Sequence, residues 1–535
     1  MLKPYPFLFL ICLSLAGLVD AQTNTGSLVP PRLVVVISVD QMRNDYLERF
    51  GSYFGEGGFN RLKRQGIRFS NARYHYVPTY TGPGHACIST GSFPMYNGIV
   101  ANDWFDRAQQ KSVYCVEDPS AKTVGSTGNA GQMSPQYLWA TTLGDELKLA
   151  YPNAKNIAVA IKDRSAILMA GHHANGVYWL DPSNGNFISS TFYAQALPRW
   201  VSAFNQSAAK DKEINQPWDL DKKLQALSHL DNQPDEAAFP GETEPVFPHN
   251  DPKTSGKYGY QRLKHLPAGN TLTVDFAVET IEQENLGLDD TPDLLNISFS
   301  QPDIMGHQFG IRSLEVADTY IKLDQNLAKL FGYLDQKVGS EHYVVVLTAD
   351  HGAAENPKFA KAQKIPGGVI TDDIKTKLEH SVPGSSAYIQ AVQNLNVYLS
   401  PDCPADFQER IRQAMRSIPG ILDVYSISEL FPLLTLSHGP GMLAKGLHHD
   451  RSGNLIGLSM PGYMEGLSGE KGTTHGSPYS YDAQVPLLFF GSVFKPQCHY
   501  QEVGVEDIAP TLSQLLGIPS PNASVGAVLP IFRGR

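Results

Sequence analysis

Six side chains able to ligate a metal stand in short, distinctive runs: Asp40 after Val39, Asp303 four residues before His307, the adjacent pair Asp350-His351, and His475 in Gly472-Thr473-Thr474-His475-Gly476. Oxygen and nitrogen donors without thiolates suit Zn²⁺, and on ligand type alone also Mn²⁺ or iron. Six ligands divide into two open sites, and paired metals about 4 Å apart clamp the attacking and leaving oxygens of an in-line displacement. Such a displacement needs a nucleophile. Thr81, in Tyr80-Thr81-Gly82-Pro83-Gly84-His85, offers a hydroxyl at the mouth of an expected helix. The free N–H groups and positive dipole end there favour a phosphate and lower the cost of ionising the threonine. Asn102, in the loop after Gly98, adds an amide donor. Lys162 and Arg164, two apart in a segment read as extended, project to one side and can clamp two oxygens of one phosphoryl group.

These residues need a frame that brings them to one place. Arg32 to Ser38 is a continuous apolar run, the pattern of a strand buried on both faces, and Asp40 then sits at its carboxyl end, where open α/β sheets bind ligands. Asp293 to Ser300 and Tyr343 to Leu347 repeat this logic ahead of Asp303 and Asp350, and Asn156 to Ile161 is a strand delivering Lys162-Asp163-Arg164. One helical turn or a tight loop puts Asp303 and His307 on one face, and His475 precedes a strand at Val485 to Phe490. Helices are expected at Gln41 to Phe50, from Gly58 toward a strand entry near Phe69, at Thr141 to Leu149, and at Val505 to Leu516. Another opens at Ser313, with Val316, Tyr320, Leu323, Leu327, Leu330 and Leu334 as one apolar stripe. From Trp179 to Asn270 periodicity fades while Pro, Asn, Asp and aromatic residues rise, as in an insertion or cap over a core. Ala360 to Gly384 reads as a flap, and the pairs His172-His173 and His448-His449, lacking ligand spacing, read as structural.

Composition narrows the partners. The chain has 535 residues, 42% of them hydrophobic and 18% charged, enough for one elaborated core. Its net charge is -10 with no basic block, so the footprint of nucleic-acid binding is missing. Gly125 to Gly131 lacks a Walker lysine and Gly469-Glu470-Lys471-Gly472 departs from the P-loop pattern, so neither is a nucleotide cradle. Met1-Leu2-Lys3, the apolar run Phe7 to Val19 and Val19-Asp20-Ala21 read as a cleaved secretory leader, which places the mature chain in the periplasm or outside the cell. Beyond Cys12 of that leader, Cys87, Cys115, Cys403 and Cys498 allow two disulfides of unassigned pairing, with Cys87 read as structural.

Taken in order, Val39-Asp40, Thr79 to His85, Gly98 to Asn102, Ile161-Lys162-Asp163-Arg164, Asp303 with His307, Asp350-His351-Gly352 and Gly472 to Gly476 resemble the alkaline phosphatase superfamily. The resemblance is nearest to its PafA-like bacterial phosphate monoesterases with a threonine nucleophile. It implies an α/β fold: an alkaline-phosphatase-like core with a central, mostly parallel sheet flanked by helices, plus inserted cap segments. With the leader read as a signal peptide over 1–21, the rest, 22–535, is expected to be a single alkaline-phosphatase-like catalytic domain with insertions near 180–270 and 360–470. By the same resemblance Asp303, His307 and His475 hold one zinc, Asp40, Asp350 and His351 hold a second together with Thr81, and Asn102, Lys162 and Arg164 bind phosphoryl oxygens. The implied enzyme is a monomer with two Zn²⁺ per chain. It hydrolyses small phosphate monoesters through a phosphothreonine on Thr81, without a nucleic-acid or membrane partner. Nucleotide pyrophosphatase/phosphodiesterases look similar around Thr81 and the metals but typically lack a counterpart of the Lys162/Arg164 pair. The Cys-x-Pro-x-Arg run of sulfatases is absent. A phosphodiesterase or phosphonate hydrolase, and an inactive zinc-dependent binding protein, are the alternatives.

Overall fold

All seven side chains of the strand Leu33–Val39 are buried, as its unbroken apolar run requires. In the computed structural model, which describes residues 29–466 and 471–531, this strand lies inside a ten-stranded sheet. The stretch read as a secretory leader lies outside the described residues. Leu33–Val39 pairs in parallel with Tyr343–Thr348 on one side and Asp293–Phe299 on the other. Asn156–Ala160 and Gly176–Asp181 extend the parallel block beyond Asp293–Phe299. On the opposite flank Gln484–Gly491 runs antiparallel to both Tyr343–Thr348 and Ile67–Arg73, and Gln497–Gly504 closes that edge parallel to Ile67–Arg73. The result is an α/β fold with a large, mostly parallel central sheet.

Helices cover the sheet, and the longest shows why. Leu314–Lys337 is capped by Ser313, whose side chain accepts a bond from the Val316 N–H, and its stripe Val316, Tyr320, Leu323, Leu327, Leu330 and Leu334 is buried in the main core. The stretch 360–470 instead builds a second, four-stranded sheet from Ile389–Gln393, Asn396–Leu399, Leu455–Ser459 and Ile421–Ser426. Its own apolar cluster includes Leu378, Val397, Ile411, Met415 and Val424.

Four local expectations are corrected. The helix expected over Gln41 to Phe50 shrinks to Tyr46–Arg49: Gln41 takes a positive φ of 64° that no helix admits, and a turn through Asp45, the N-cap, follows it. Lys162 is extended but Arg164 is not: it lies in the first turn of the helix Asp163–Ala170, with Lys162 as its N-cap. The stretch read as a flap carries two helices, Pro357–Ala362 and Ile374–Ser381, and a strand, Gly368–Ile370, paired with Tyr463–Glu465. The four cysteines form no disulfide; Cys87 and Cys115 are buried separately as free thiols.

Candidate active site

The parallel strands deliver their carboxylates at one edge. Asp40 follows Leu33–Val39, Asp350 and His351 follow Tyr343–Thr348, and Asp303 lies in the helix Gln301–Phe309 that follows Asp293–Phe299. One turn along that helix, His307 Nε2 stands 3.0 Å from Asp303 Oδ1. His475 comes from the loop ahead of Gln484–Gly491. Since that strand is antiparallel to its neighbour, its entry meets the exits of the parallel strands, and His475 Nε2 reaches to 3.6 Å from Asp303 Oδ1. Two groups result, Asp303/His307/His475 and Asp40/Asp350/His351, each able to offer ligand atoms within 4.8 Å of one another.

Each imidazole is locked from behind. Nδ1–H of His307 donates to Thr473 O at 2.8 Å, that of His475 to Thr79 O at 2.8 Å, and that of His351 to Gly352 O at 3.0 Å. The Nε2 atoms therefore face inward, the arrangement that prepares histidine as a metal ligand. Burial pushes His351 down to about 3 and His475 well below its ordinary value, which keeps both neutral. Their rings stack at 3.4 Å between centroids and 12°, so the two groups adjoin. His307 differs: burial lowers its pKa, but Asp303 outweighs burial and raises it.

The carboxylates test whether a divalent cation fits. Asp40 and Asp350 are fully buried, yet Asp40 Oδ1 and Asp350 Oδ2 have no hydrogen-bond partner. Buried orphan oxygens of this kind are costly unless a cation or proton satisfies them. Burial, then the neighbouring Asp40, push Asp350 well above the usual carboxylate range. Lys162 Nζ bridges the groups at 2.6 Å from Asp40 Oδ2 and 2.5 Å from Asp303 Oδ2. Burial works against the Asp303 anion, but His307 and Lys162 hold it well below the ordinary range. Three buried carboxylates and three inward Nε2 atoms fit a pair of divalent ions with mixed oxygen and nitrogen ligands.

Thr81 is the first residue of the helix Thr81–Thr90 and is buried. Its Oγ1 lies 3.4 Å from His351 Nε2 and 3.4 Å from Arg164 Nη2. Asn102 Oδ1 accepts the Gly82 N–H at 2.7 Å, which leaves its NH₂ as the donor available beside Thr81. Gly84 has a steric reason: a Cβ there would collide with the Asp350 backbone, so only glycine lets the helix pack on that strand exit. His85, neutral because burial lowers it to about 4, donates from Nδ1 to Thr81 O and accepts from Ser298 Oγ, tying this first turn to the central strand.

All ten residues singled out by sequence, Asp40, Thr81, Asn102, Lys162, Arg164, Asp303, His307, Asp350, His351 and His475, are thus brought to one edge of the sheet. Sequence reasoning missed three residues beside them, two of which hold them in place. Gln41, in its left-handed conformation, donates from its N–H to Asp350 Oδ1 at 3.1 Å and from Nε2 to Asp303 Oδ1 at 2.7 Å. Tyr114 OH donates to Asp163 Oδ1 at 2.6 Å and accepts from Arg164 Nη1 at 3.1 Å, fixing the guanidinium. Lys264 joins Tyr114, Lys162, Asp163 and Arg164 in lining a cavity of 420 Å³. No spacing in the sequence announces them; only a tyrosine preceding a buried cysteine marks the Tyr114 hairpin.

The sequence pattern of the family described as type I phosphodiesterase / nucleotide pyrophosphatase matches residues 34–478. Over 549 residues the chain is 38% identical to alkaline phosphatase PafA of Elizabethkingia meningoseptica, covering 100% of both. Over 513 residues it is 39% identical to a Myroides odoratus protein named calcium-transporting ATPase, covering 93% of each. A crystal structure of wild-type alkaline phosphatase PafA superposes with a TM-score of 0.89 at 38% identity, covering 94% of this chain and 99% of that one.

Proposed function

Because the chain belongs to the type I phosphodiesterase / nucleotide pyrophosphatase family of the alkaline phosphatase superfamily, we propose that it is a metal-dependent phosphatase that hydrolyses small phosphate monoesters in two steps through Thr81. One observation carries the reading: a buried hydroxyl at a helix N-terminus lies 3.4 Å both from an imidazole of the candidate metal ligands and from a fixed guanidinium.

Asp303, His307 and His475 would hold one zinc, and Asp40, Asp350 and His351, with Thr81, the other. Bound there, the two ions supply Lewis acidity, which lowers the pKa of a hydroxyl or water and neutralises charge on oxygen. Thr81 Oγ attacks phosphorus in line, the ester oxygen departs, and the phosphoryl group rests on the threonine. Water then attacks phosphorus, inorganic phosphate leaves and Thr81 is restored. Throughout, the helix dipole favours negative charge at Thr81. The Arg164 fork, aimed by Tyr114 and Asp163, takes two phosphoryl oxygens, and the Asn102 NH₂ group takes a further one. Lys162, within reach of carboxylates from both groups, adds the point charge that a monoester dianion needs and a diester monoanion lacks.

The two named relatives support phosphoryl transfer to water, and ATP hydrolysis would be one instance of it by the same groups. The proposed setting is a monomer in the periplasm or outside the cell. Among the described residues no helix is long and apolar enough to cross a membrane. The test is turnover of 4-nitrophenyl phosphate beside bis(4-nitrophenyl) phosphate. The reading expects the monoester to be strongly preferred and Thr81→Ala to lower kcat/KM by about 10³-fold or more. A preference for the diester would replace it with the phosphodiesterase reading, and full activity in Thr81→Ala would remove the nucleophile.

A further inference from the structure

Away from the active edge, Asp231, Glu236 and Glu315 form a third group able to bring carboxylate oxygens within 4.8 Å of one another. Asp231 follows the 3-10 helix Lys222–Leu230, Glu236 lies in the next loop, and Glu315 is in the first turn of Leu314–Lys337. The three share one feature. One oxygen of each is bonded: Asp231 Oδ2 accepts from Phe247 N–H at 3.0 Å, Glu236 Oε2 from Gln233 N–H at 2.6 Å, and Glu315 Oε1 from His249 Nε2–H at 3.1 Å. The second oxygen of each, Asp231 Oδ1, Glu236 Oε1 and Glu315 Oε2, is buried with no hydrogen-bond partner. Glu236 is 1% exposed and Glu315 0%, so solvent does not compensate them.

We propose that these three free carboxylate oxygens form a binding site for a hard divalent cation, Ca²⁺ by preference, distinct from the two candidate zinc groups. The donors are all oxygen. The nearby imidazole, His249, has both nitrogens committed, Nδ1 to Glu242 at 2.7 Å and Nε2 to Glu315, and cannot ligate. An all-carboxylate set drawn from a loop and a helix end suits the irregular coordination that Ca²⁺ tolerates, with water completing the shell at half-buried Asp231. The charge balance agrees, since Asp231, Glu236, Glu242 and Glu315 face one imidazolium, while Lys471 Nζ is spent on the carbonyls of Pro234 and Glu236. Without a cation, burial and Glu315 push Glu236 up to about 9, so a proton must occupy what a metal would fill.

The site would have a purpose in the architecture. Its loop bonds directly to both histidine-bearing segments: Gly472 N–H donates to Asp235 O at 2.6 Å, Ala237 N–H to Gln308 O at 2.9 Å, and Gln308 Nε2 to Ala238 O at 2.9 Å. Gln308 follows His307, and Gly472 lies three residues before His475. A cation that clamps this loop to Leu314–Lys337 therefore braces the backbone behind two imidazoles.

The test needs no activity assay, so its failure is separable from failure of the phosphatase reading. Zinc-saturated, calcium-free full-length protein is titrated with CaCl₂ while thermal unfolding is followed. Tb³⁺ luminescence excited through Trp218, whose ring lies 5.3 Å from that of Phe247, reads occupancy directly. The proposal expects Tm to rise by about 2–4 °C by about 10 mM Ca²⁺. It also expects Tb³⁺ luminescence that Ca²⁺ displaces and that Glu236→Gln/Glu315→Gln abolishes. If the double variant does not fold, Asp231→Asn at the half-buried rim must weaken Ca²⁺ at least tenfold. A wild-type Tm indifferent to Ca²⁺, or Tb³⁺ luminescence unchanged in the variants, overturns it in favour of a proton-sharing carboxyl pair.

Discussion

At Thr81 one imidazole and one guanidinium converge on a single oxygen, so substitutions around it separate binding charge from positioning. On the proposed reading, Arg164→Ala and Lys162→Ala would remove charge that a dianion uses and a monoanion does not. Each is expected to lower kcat/KM for an aryl phosphate monoester by about 10²–10⁴-fold and for the diester far less, measured on both substrates side by side. Tyr114→Phe leaves every charge in place and removes the hydroxyl that links Arg164 to Asp163. The expected effect is about a tenfold loss, carried mainly by KM, because a misaimed fork binds less well while the attack on phosphorus is unaltered. Equal loss on monoester and diester in the Lys162 and Arg164 variants would favour the phosphodiesterase reading.

Elements explain which of these groups were legible beforehand. A parallel strand buried on both faces writes itself as an uninterrupted apolar run, so Leu33–Val39, Asp293–Phe299 and Tyr343–Thr348 were readable, and Asp40, Asp303 and Asp350 followed from chain position alone. Asp303 and His307 needed only the pitch of a helix. Tyr114 was not readable, since it ends the short hairpin of Asp103–Asp106 and Lys111–Tyr114, and only the fold carries that hairpin to Asp163 and Arg164. Gln41 was misread because a left-handed residue inside an otherwise helical pattern carries no compositional mark. The acidic group at Asp231, Glu236 and Glu315 was invisible because 3-10 and irregular segments leave no periodicity to follow. Two predictions belong at this scale. Gly84→Ala must push the Thr81–Thr90 helix off the Asp350 backbone, so a folded protein with lower Tm and at least about tenfold lower kcat is expected. Ser313→Ala removes the cap of the longest helix and should cost about 1 kcal/mol in urea unfolding.

For the molecule as a whole, the candidate ligands come from segments spread over residues 40 to 475, so cations there would tie distant parts of the chain together. Chelation of the holoenzyme is expected to abolish turnover and to lower Tm, with Zn²⁺ restoring both; retained turnover after metal removal, verified by elemental analysis, would contradict the assignment. Stability should also respond to pH through Asp482, which is buried beside Ser477 and pushed by burial from an ordinary 3.8 up to about 7. The native state then holds this proton more tightly than the unfolded chain. Its contribution is complete below about pH 4 and lost as pH rises toward 7. Urea unfolding of Asp482→Asn across that window is expected to show a flatter pH profile than wild type.

Of the two strands that run against the rest of the central sheet, Asn186–Ser190 and Gln484–Gly491, the second has a bearing on biosynthesis. A ribosome-bound chain already holds Asp40, Thr81, Asp303, His307, Asp350 and His351 long before residue 475 exists. The pocket cannot close until Gln484–Gly491 threads back beside Tyr343–Thr348. A chain cut short before residue 475 is therefore expected to be inert toward phosphate esters.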